Sequence, residues 1–340
     1  MNDKQSKTSA GESKGPVTLI EAIRQGIYEE MTRDETVFVI GEDIGAYGGA
    51  FKLTEGFIDE FGAERMIDTP ISEAAIVGAA CGAALMGMKP IAEFQFIDFI
   101  STGFDMLTNY AAKSRYRGCG SIQAVFRGPC GSGVRGGPFH SLNAESFFLN
   151  TAGLKMVEPS TAYDAKGLIK AAIRDPDPVL FFEHKKLYRL PRLREELPED
   201  DYIVEIGKAR TAREGKDLSV ITFGAQVLNA LDAAEILEKE DGLQIEIVDL
   251  RTLAPLDKKA ILATVKKTNR ALVLHEASLT GGIGGEISAI IAEEAFEWLD
   301  APVIRVASID TPVPFAPQME DYFLPQVAEI VEAARRLALY

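Results

Sequence analysis

The feature that most constrains the fold is an alternation of short apolar runs with amphipathic stretches of roughly 10–15 residues, which continues from residue 18 almost to the C-terminus. Residues 36–40 are a typical apolar run, too short for a helix and rich in β-branched and aromatic side chains, so they predict a buried strand. Thr18 and Glu21 have the spacing of a capping box, which predicts the start of a helix. Strands separated by helices in this way predict parallel sheets covered by helices on both faces.

With 340 residues, the chain is longer than one average hydrophobic core supports, which predicts two domains. The first fifteen residues are polar and rich in Ser, Lys and Gly, so residues 1–15 are predicted to be a flexible tail. The charged, proline-containing stretch at 185–201 breaks the periodic pattern and predicts a connection between domains. The predicted fold class is therefore α/β, with two three-layer α/β/α domains at 16–190 and 206–340 and a linker at 191–205.

Composition argues against several classes of function. The net charge of −15, from 51 acidic and 36 basic residues, disfavours nucleic acid, which attracts basic surfaces. No apolar run reaches the ~18 residues of a membrane helix, so no membrane partner is expected. The three cysteines, Cys81, Cys119 and Cys130, match neither a disulfide framework nor a metal site. Together these features predict a cytoplasmic protein.

Glu73 is the most informative single residue, because it lies at the start of an unusually apolar helix. A strand at 65–68 stops at Thr69-Pro70, and a Thr or Ser N-cap with proline at the first helical position predicts that a helix begins there. Residues 73–86 are apolar on all sides, which predicts a buried helix. Two interpretations of Glu73 are open: its carboxylate stabilises the helix dipole, or it is buried and needs a partner, which would be a ligand because no cation is nearby in sequence.

Other candidate site residues lie in segments that follow predicted strands. These are Glu42, Gln95, Phe99 and His140. Because ligands of open α/β sheets bind beyond the carboxyl ends of the strands, these residues and Glu73 are predicted to converge on one edge of a sheet. His140 is one of three histidines and follows a glycine-rich loop. A structural role is the alternative for His140, and core packing is the alternative for Phe99.

Two glycine-rich segments resemble nucleotide-binding motifs without matching them. Residues 281–285 contain four glycines between a predicted strand and a helix, but they lack the Gly-x-Gly-x-x-Gly spacing. They predict a tight turn with close packing. Residues 45–49 are not followed by Gly-Lys-Ser/Thr, so no phosphate loop is predicted. The absence of Gly-x-Ser-x-Gly and His-Glu-x-x-His motifs disfavours hydrolases.

Several ordered blocks closely resemble one family, the β subunits of thiamine-diphosphate-dependent 2-oxo acid dehydrogenases. The blocks lie at 41–43, 68–73, 93–99, 115–117, 140–141, 164–168, 248–252 and 275–277. Each block alone is weak, but their order and spacing together are specific. The resemblance covers nearly the whole chain from Val17. It implies a transketolase-like pyrimidine-binding domain followed by a transketolase C-terminal-like domain.

The resemblance also implies roles for the site residues. Glu73 would bind the ring nitrogen of the cofactor's aminopyrimidine and favour its protonated form. Phe99 would stack on that ring, with Gln95 as a polar contact and Glu42 as a carboxylate in a proton relay. His140 would handle protons or stabilise charge on the substrate or the incoming lipoyl group.

Cofactors and partners follow from the same resemblance. Thiamine enzymes anchor the diphosphate through Mg²⁺ on a Gly-Asp-Gly segment that does not occur in this chain, so an α subunit is expected to hold Mg²⁺ in an α2β2 heterotetramer. The other expected partner is the dihydrolipoyl acyltransferase core with its lipoyl domain. Related β subunits bind K⁺ through backbone oxygens, which here would belong to segments containing Ile122, Ala172, Asp175 and Asp177.

The predicted activity is oxidative decarboxylation of a branched-chain 2-oxo acid with acyl transfer to a lipoyl group. Residues 275–282 and 310–312 favour the branched-chain enzymes, whereas residues 163–167 equally resemble bacterial pyruvate enzymes. Pyruvate or acetoin dehydrogenase β subunits are therefore the alternatives within the family. A self-contained transketolase-like enzyme is disfavoured by the missing Gly-Asp-Gly segment. A non-catalytic assembly subunit is disfavoured by the presence of Glu73, Phe99 and His140.

Overall fold

The computed structural model describes residues 15–340, so the predicted tail lies outside the described residues except for Gly15. The helices are α1 (Leu19–Arg33), α2 (Phe57–Phe61), α3 (Glu73–Leu85), α4 (Ala162–Arg174), α5 (Gln226–Asp241), α6 (Lys258–Thr268), α7 (Ile283–Glu294), α8 (Pro317–Phe323) and α9 (Val327–Ala338). The strands are β1 (Val37–Gly41), β2 (Met66–Asp68), β3 (Lys89–Glu93), β4 (Val125–Cys130), β5 (Lys155–Val157), β6 (Val179–His184), β7 (Arg210–Arg213), β8 (Leu218–Thr222), β9 (Ile245–Asp249), β10 (Thr252–Ala254), β11 (Ala271–Ser278) and β12 (Ile304–Ser308).

The first sheet has seven strands in the order β10-β5-β6-β4-β3-β1-β2. Its strands run parallel except β10, which pairs antiparallel with β5. In register, Gly41 at the end of β1 is opposite both Asp68 of β2 and Glu93 of β3. The chain therefore leaves these three neighbouring strands at the same height, which brings the residues after each strand to a common edge.

Strand β1 has helices on both faces, as its continuously apolar sequence requires. Val37 and Val39 point into a core that also contains residues of α1 and α4, whereas Phe38 and Ile40 point into a core that contains residues of α3. A Cβ on Gly26 of α1 would lie 2.5 Å from Ile169 of α4, so the two helices pack closely together. This arrangement is the three-layer α/β/α sandwich predicted from the sequence.

The second sheet has five strands in the order β12-β11-β8-β9-β7, parallel except for β7. Strand β10 follows β9 in the chain but pairs with β5 of the first sheet, so the C-terminal half adds a strand to the N-terminal sheet. The two sheets, with helices on both sides, confirm the α/β fold class.

The sequence pattern also predicts helices at 53–61 and at about 101–116, and it places residues 144–151 within the same alternation. The second helix is instead a 3₁₀ helix at Ile97–Gly103 followed by a π-helix at Met106–Ala111. The first is confined to α2, and residues 144–151 contain a single 3₁₀ turn at Glu145–Phe147. Pattern alone does not distinguish these geometries, because all of them recur every three to five residues.

Helix α3 also differs from its prediction. Ser72 is its N-cap residue and the helix begins at Glu73, so Pro70 lies outside the helix. One face of α3 is buried, and the opposite face, formed by small residues, is exposed. The exposed residues of this face are Ala74, Ala75, Ala79 and Gly82. The helix is therefore not buried on all sides within this chain.

Two further expectations concern the whole chain. Among residues 15–340, no helix is both long enough and apolar enough to cross a membrane. The cysteines are free thiols, of which Cys81 and Cys130 are buried and Cys119 is exposed.

Candidate active site

Candidate residues from four adjacent strands meet at the carboxyl edge of the first sheet. Glu42 follows β1, Glu73 opens α3 after β2, Gln95 and Phe99 follow β3, and His140 lies in the loop after β4. Strands β4, β3, β1 and β2 are consecutive neighbours in the sheet. The convergence on one edge that the sequence predicted is therefore present in the fold.

Glu42 and Glu73 form an under-satisfied pair of carboxylates. Glu42 is only 7% exposed, and its Oε1 has no hydrogen-bond partner among the described residues. The pKa of Glu42 is raised, first by burial and then by the negative charge of Glu73, while the main-chain N–H of Ser72 opposes the shift. Burial of an acceptor without a partner is costly, so free acceptor capacity at this place favours a ligand that donates hydrogen bonds.

Thr102 connects Glu73 to Phe99, a link that no sequence pattern indicated. Its Oγ1 lies 3.3 Å from Glu73 Oε2 and 2.8 Å from the carbonyl oxygen of Phe99. Thr102 lies in the 3₁₀ helix that replaced the predicted α-helix, and this tighter geometry directs its hydroxyl toward α3. Glu73 and Phe99 therefore lie on adjoining walls of one site.

His140 lies edge-on against two aromatic rings. Its ring centroid is 4.5 Å from that of Phe96 and 5.8 Å from that of Phe99, with nearly perpendicular planes in both cases. Edge-to-face packing of this kind holds a ring in one orientation. Glu42, Glu73, Phe99 and His140 thus form a continuous series of neighbours along the sheet edge.

The remaining residues of the 93–99 block have structural contacts. Gln95 is half-buried, and its Nε2 donates to Asp43 Oδ2 at 2.9 Å. Phe94 is fully buried and belongs to the core. Asp98 accepts hydrogen bonds at Oδ1 from the main-chain N–H groups of Ser141 (3.2 Å) and Leu142 (3.0 Å), so it holds the segment just after His140.

A buried ion-pair cluster forms the floor of this edge. Arg127 of β4 pairs with Glu93 at the end of β3 and with Glu183 of β6, whose Oε2 also accepts from Tyr188 at 2.7 Å. Burial raises the pKa of Glu93, although Arg127 acts in the opposite direction. Removing one member of such a buried cluster leaves an uncompensated charge, so the cluster holds three strand ends in a fixed arrangement.

The segments predicted to bind K⁺ do lie together, at the opposite edge of the sheet. Gln123 Nε2 donates to the carbonyl oxygen of Ile173 at 3.0 Å, which joins the start of β4 to the end of α4. Asp175 and Asp177 are occupied by Lys155, with Nζ–O distances of 2.6 Å and 3.5 Å. Their side chains are therefore engaged, and any cation there would depend on carbonyl oxygens.

Within residues 15–340, no group of three or more His, Cys, Asp or Glu side chains is arranged to hold a metal ion.

The chain matches two consecutive transketolase families, "Transketolase, pyrimidine binding domain" over residues 15–191 and "Transketolase, C-terminal domain" over residues 207–330. The fold and the edge site thus define a transketolase-like protein. A solved structure titled "Split gene transketolase, inactive beta4 tetramer" shares the fold, with a TM-score of 0.79, 21% identity, and coverage of 95% of this chain and 99% of that one.

Curated relatives are much more similar in sequence. The chain is 50% identical to "2-oxoisovalerate dehydrogenase subunit beta" of Bacillus subtilis over 95% of this chain and 98% of the relative. It is 46% identical to "Pyruvate dehydrogenase E1 component subunit beta" of the same organism, over 94% and 98%. A rice mitochondrial pyruvate dehydrogenase β subunit is 44% identical, over 94% and 86%. The chain belongs to the β subunits of the 2-oxo acid dehydrogenases.

Proposed function

We propose that this chain, together with an α subunit, catalyses oxidative decarboxylation of a branched-chain 2-oxo acid and transfers the acyl group to the lipoyl group of a dihydrolipoyl acyltransferase. The observation that carries the proposal is the pair Glu42 and Glu73, whose free acceptor capacity lies beside Phe99 and His140 at a strand-end edge. Membership of the 2-oxo acid dehydrogenase β subunits supports this chemistry.

The residues at the edge fit the aminopyrimidine half of thiamine diphosphate. Glu73 has an accessible carboxylate with one weak partner, and it would hold a proton at the pyrimidine ring nitrogen. Phe99 would pack against the flat ring, and Gln95 would supply a polar contact beside it. When bound, the cofactor supplies the electron sink for the electrons released with carbon dioxide.

His140 would handle a proton or stabilise charge at the substrate or the lipoyl sulfur. Its ring is held by Phe96 and Phe99, and its loop is polar and partly open to solvent. A general acid or base must be oriented as well as present, and packing against two aromatic edges supplies that orientation. Glu42, which follows β1 and lies next to Glu73, would take part in a proton relay.

An α subunit would supply the diphosphate half of the site and the Mg²⁺ ligands. The exposed small-residue face of α3 begins at Ala74, directly beside Glu73, and is suited to close packing by another chain. Two β chains and two α chains would then form an α2β2 heterotetramer with two complete sites. Isothermal calorimetry tests this: the isolated chain is expected to bind thiamine diphosphate poorly, and tight Mg²⁺-dependent binding by this chain alone would contradict a shared site.

A steady-state assay of the assembled enzyme tests the substrate. We expect a higher kcat/KM for 2-oxoisovalerate than for pyruvate, in line with the higher identity to the 2-oxoisovalerate relative. Preference for pyruvate would instead favour the pyruvate type, which the 46% identity to a pyruvate dehydrogenase β subunit also supports. No turnover of either acid with any α partner would favour a non-catalytic assembly role.

A further inference from the structure

In the segment before His140, the loop that carries this residue is held mainly by the C-terminal half of the chain. It leaves β4 at Cys130 and is closed at its base by two bonds across it, Gly131 N–H to the Leu142 carbonyl (3.1 Å) and Ser132 Oγ to the Ser141 carbonyl (3.1 Å). Between these bonds the loop contains only a short 3₁₀ turn and several glycines with positive φ. Such a segment has little intrinsic conformational preference, so its contacts decide where His140 lies.

Glu320 of α8 makes the largest number of hydrogen bonds to the loop from the C-terminal half among the described residues. It is fully buried, and its Oε1 accepts the main-chain N–H of Gly133 at 3.0 Å. Both of its carboxylate oxygens lie 3.3 Å from the main-chain nitrogen of Arg135, and Oε2 accepts from the Arg135 guanidinium at 2.6 Å. Arg135 has a φ of +63°, a conformation costly for a residue with a side chain. One carboxylate therefore stabilises an otherwise unfavourable turn.

Two additional contacts fix the rest of the loop to the same half. Glu276, at the end of β11, accepts from the main-chain N–H of Ser132 at 2.6 Å and from Asn143 Nδ2 at 3.0 Å, on either side of the loop. Phe315 packs so closely on Gly137 that a Cβ there would lie 2.3 Å from its ring. The loop thus rests on three residues of the C-terminal half.

We propose that Glu320 is a positioning residue for His140, so that the C-terminal half sets the geometry of a group on the N-terminal sheet edge. The proposal rests on the role given to His140 above. Glu320 lies between two residues of the turn that precedes His140, and it contacts no other candidate site residue. Its loss would let the turn relax and carry the imidazole out of its position against Phe96 and Phe99.

The test compares Glu320→Gln, His140→Ala and the double variant in the enzyme assembled with its α subunit. Gln at 320 keeps the side-chain volume but replaces one acceptor oxygen with a donor, so it cannot satisfy the two loop N–H groups and Arg135 together. Because misplacement by about 1 Å can cost ~100-fold in rate, we expect kcat to fall roughly 10- to 100-fold. The KM for thiamine diphosphate should not change, because the cofactor contacts lie elsewhere.

The matched control is Asp321→Asn, which removes the same charge. Asp321 is exposed, pairs with Arg135 at 2.9 Å and has no hydrogen bond to the loop main chain among the described residues. It should leave kcat unchanged. A second variant, Arg135→Gln, removes the guanidinium contact at a partly exposed position. Arg135→Gln should lower kcat several-fold. This variant therefore tests the positioning role even if the Glu320→Gln chain does not assemble with the α subunit.

Non-additivity decides between positioning and general stabilisation. If Glu320 acts through His140, the double variant has the kcat of His140→Ala alone. Multiplicative losses, or a Glu320→Gln enzyme with normal kcat, would overturn the positioning role while leaving the proposed function intact. If Arg135→Gln has the same kcat as Asp321→Asn, the positioning role is also overturned. Normal kcat in His140→Ala would instead overturn the role of His140 and, with it, the inference.

Discussion

Two groups of carboxylates in this protein differ in how completely they are satisfied. At the sheet edge, and counting residues 15–340 alone, Glu42 keeps an oxygen without a partner and Glu73 has a single hydrogen-bond contact at 3.3 Å. Between the two halves, Glu276 has four partners within 3.4 Å and Glu320 binds two main-chain N–H groups and a guanidinium. Glu42, Glu276 and Glu320 are buried, whereas Glu73 is partly exposed at the mouth of the edge site.

This difference distinguishes carboxylates that are free to bind a ligand from carboxylates that stabilise the fold. In a buried carboxylate whose acceptors are all used, the hydrogen bonds offset the free energy of desolvation. A buried carboxylate with free acceptors destabilises the folded protein until a hydrogen-bond donor binds. Their pKa values follow the same division. Burial alone raises the pKa of Glu276, but His184, the Ser132 amide and Asn143 outweigh it and hold that pKa well below the usual range, whereas the pKa of Glu42 is raised.

The largest effect is expected from Glu73→Gln. Gln keeps the volume but cannot hold a proton on a ring nitrogen, so decarboxylation by the assembled enzyme should slow about 100-fold or more, the range supplied by acid–base groups. The unfolding temperature should change little because Glu73 contributes one weak contact. Glu64→Gln, at an exposed position, is the control and should behave like the wild type. Near-normal turnover of Glu73→Gln would show that the Glu73 carboxylate is not kept free for a ligand, and would contradict the difference drawn between the two groups of carboxylates.

The next effect concerns Glu145, a buried carboxyl beside Glu276 whose Oε1 has no partner among the described residues. Burial raises its pKa from 4.5 to about 7, and the negative charge of Glu276 adds to the shift. The folded state therefore binds a proton more tightly than the unfolded state. The stability this gives is complete below pH ~4.5 and is lost as the pH rises through about 7.

Urea unfolding of the wild type and Glu145→Gln across pH 5–8 measures that loss. The free energy of unfolding of the wild type should fall, relative to the variant, by roughly 3 kcal/mol over this interval. Glu199→Gln, an exposed site, is the control and should follow the wild type. Parallel pH curves for wild type and Glu145→Gln would mean that the pKa of Glu145 is the same in the folded and unfolded states, which would contradict a buried carboxyl with a free oxygen.

Glu276→Gln should lower stability with the opposite dependence on pH. Its depressed pKa means that its contribution is present above the ordinary value of 4.5 and is lost as the pH falls further. At neutral pH the variant should lose roughly 1–3 kcal/mol, because an amide cannot accept from all four neighbours. Thermal unfolding measures this, with exposed Glu286→Gln as the control. Equal stability of the two variants would contradict a structural role for Glu276.

The smallest effect on stability is expected at the carbonyl oxygens near Ile122 and Ala172. Like the carboxylates at the sheet edge, these oxygens could accept a ligand, but they carry no charge. If they bind K⁺, replacing it with a bulky organic cation should lower the free energy of unfolding by roughly 0.5–2 kcal/mol, as expected for loss of a weakly bound ligand. Melting curves at constant ionic strength provide the measurement. Identical curves in the two salts would exclude a stabilising K⁺ site in this chain.

Much of the site could be predicted because local sequence determines where strands end. The alternating pattern specifies parallel strands, and the residue after each strand must lie at the carboxyl edge, which gave Glu42, Gln95, Phe99 and His140 a common location. The direction in which each side chain points could not be predicted from the strand ends. Thr102 was missed because its position depends on a 3₁₀ rather than an α-helical turn.

What the sequence determined by itself was the fold class, the succession of the parallel strands, and the residues that leave these strands, because these follow from periodicity and chain direction. Only the tertiary structure decided which carboxylates are satisfied. The partners of Glu320 are 185 to 187 positions away in the chain, and those of Glu276 are up to 144 positions away. Hydrogen bonds across such separations depend on how two independently patterned halves pack together, and no local pattern records that packing.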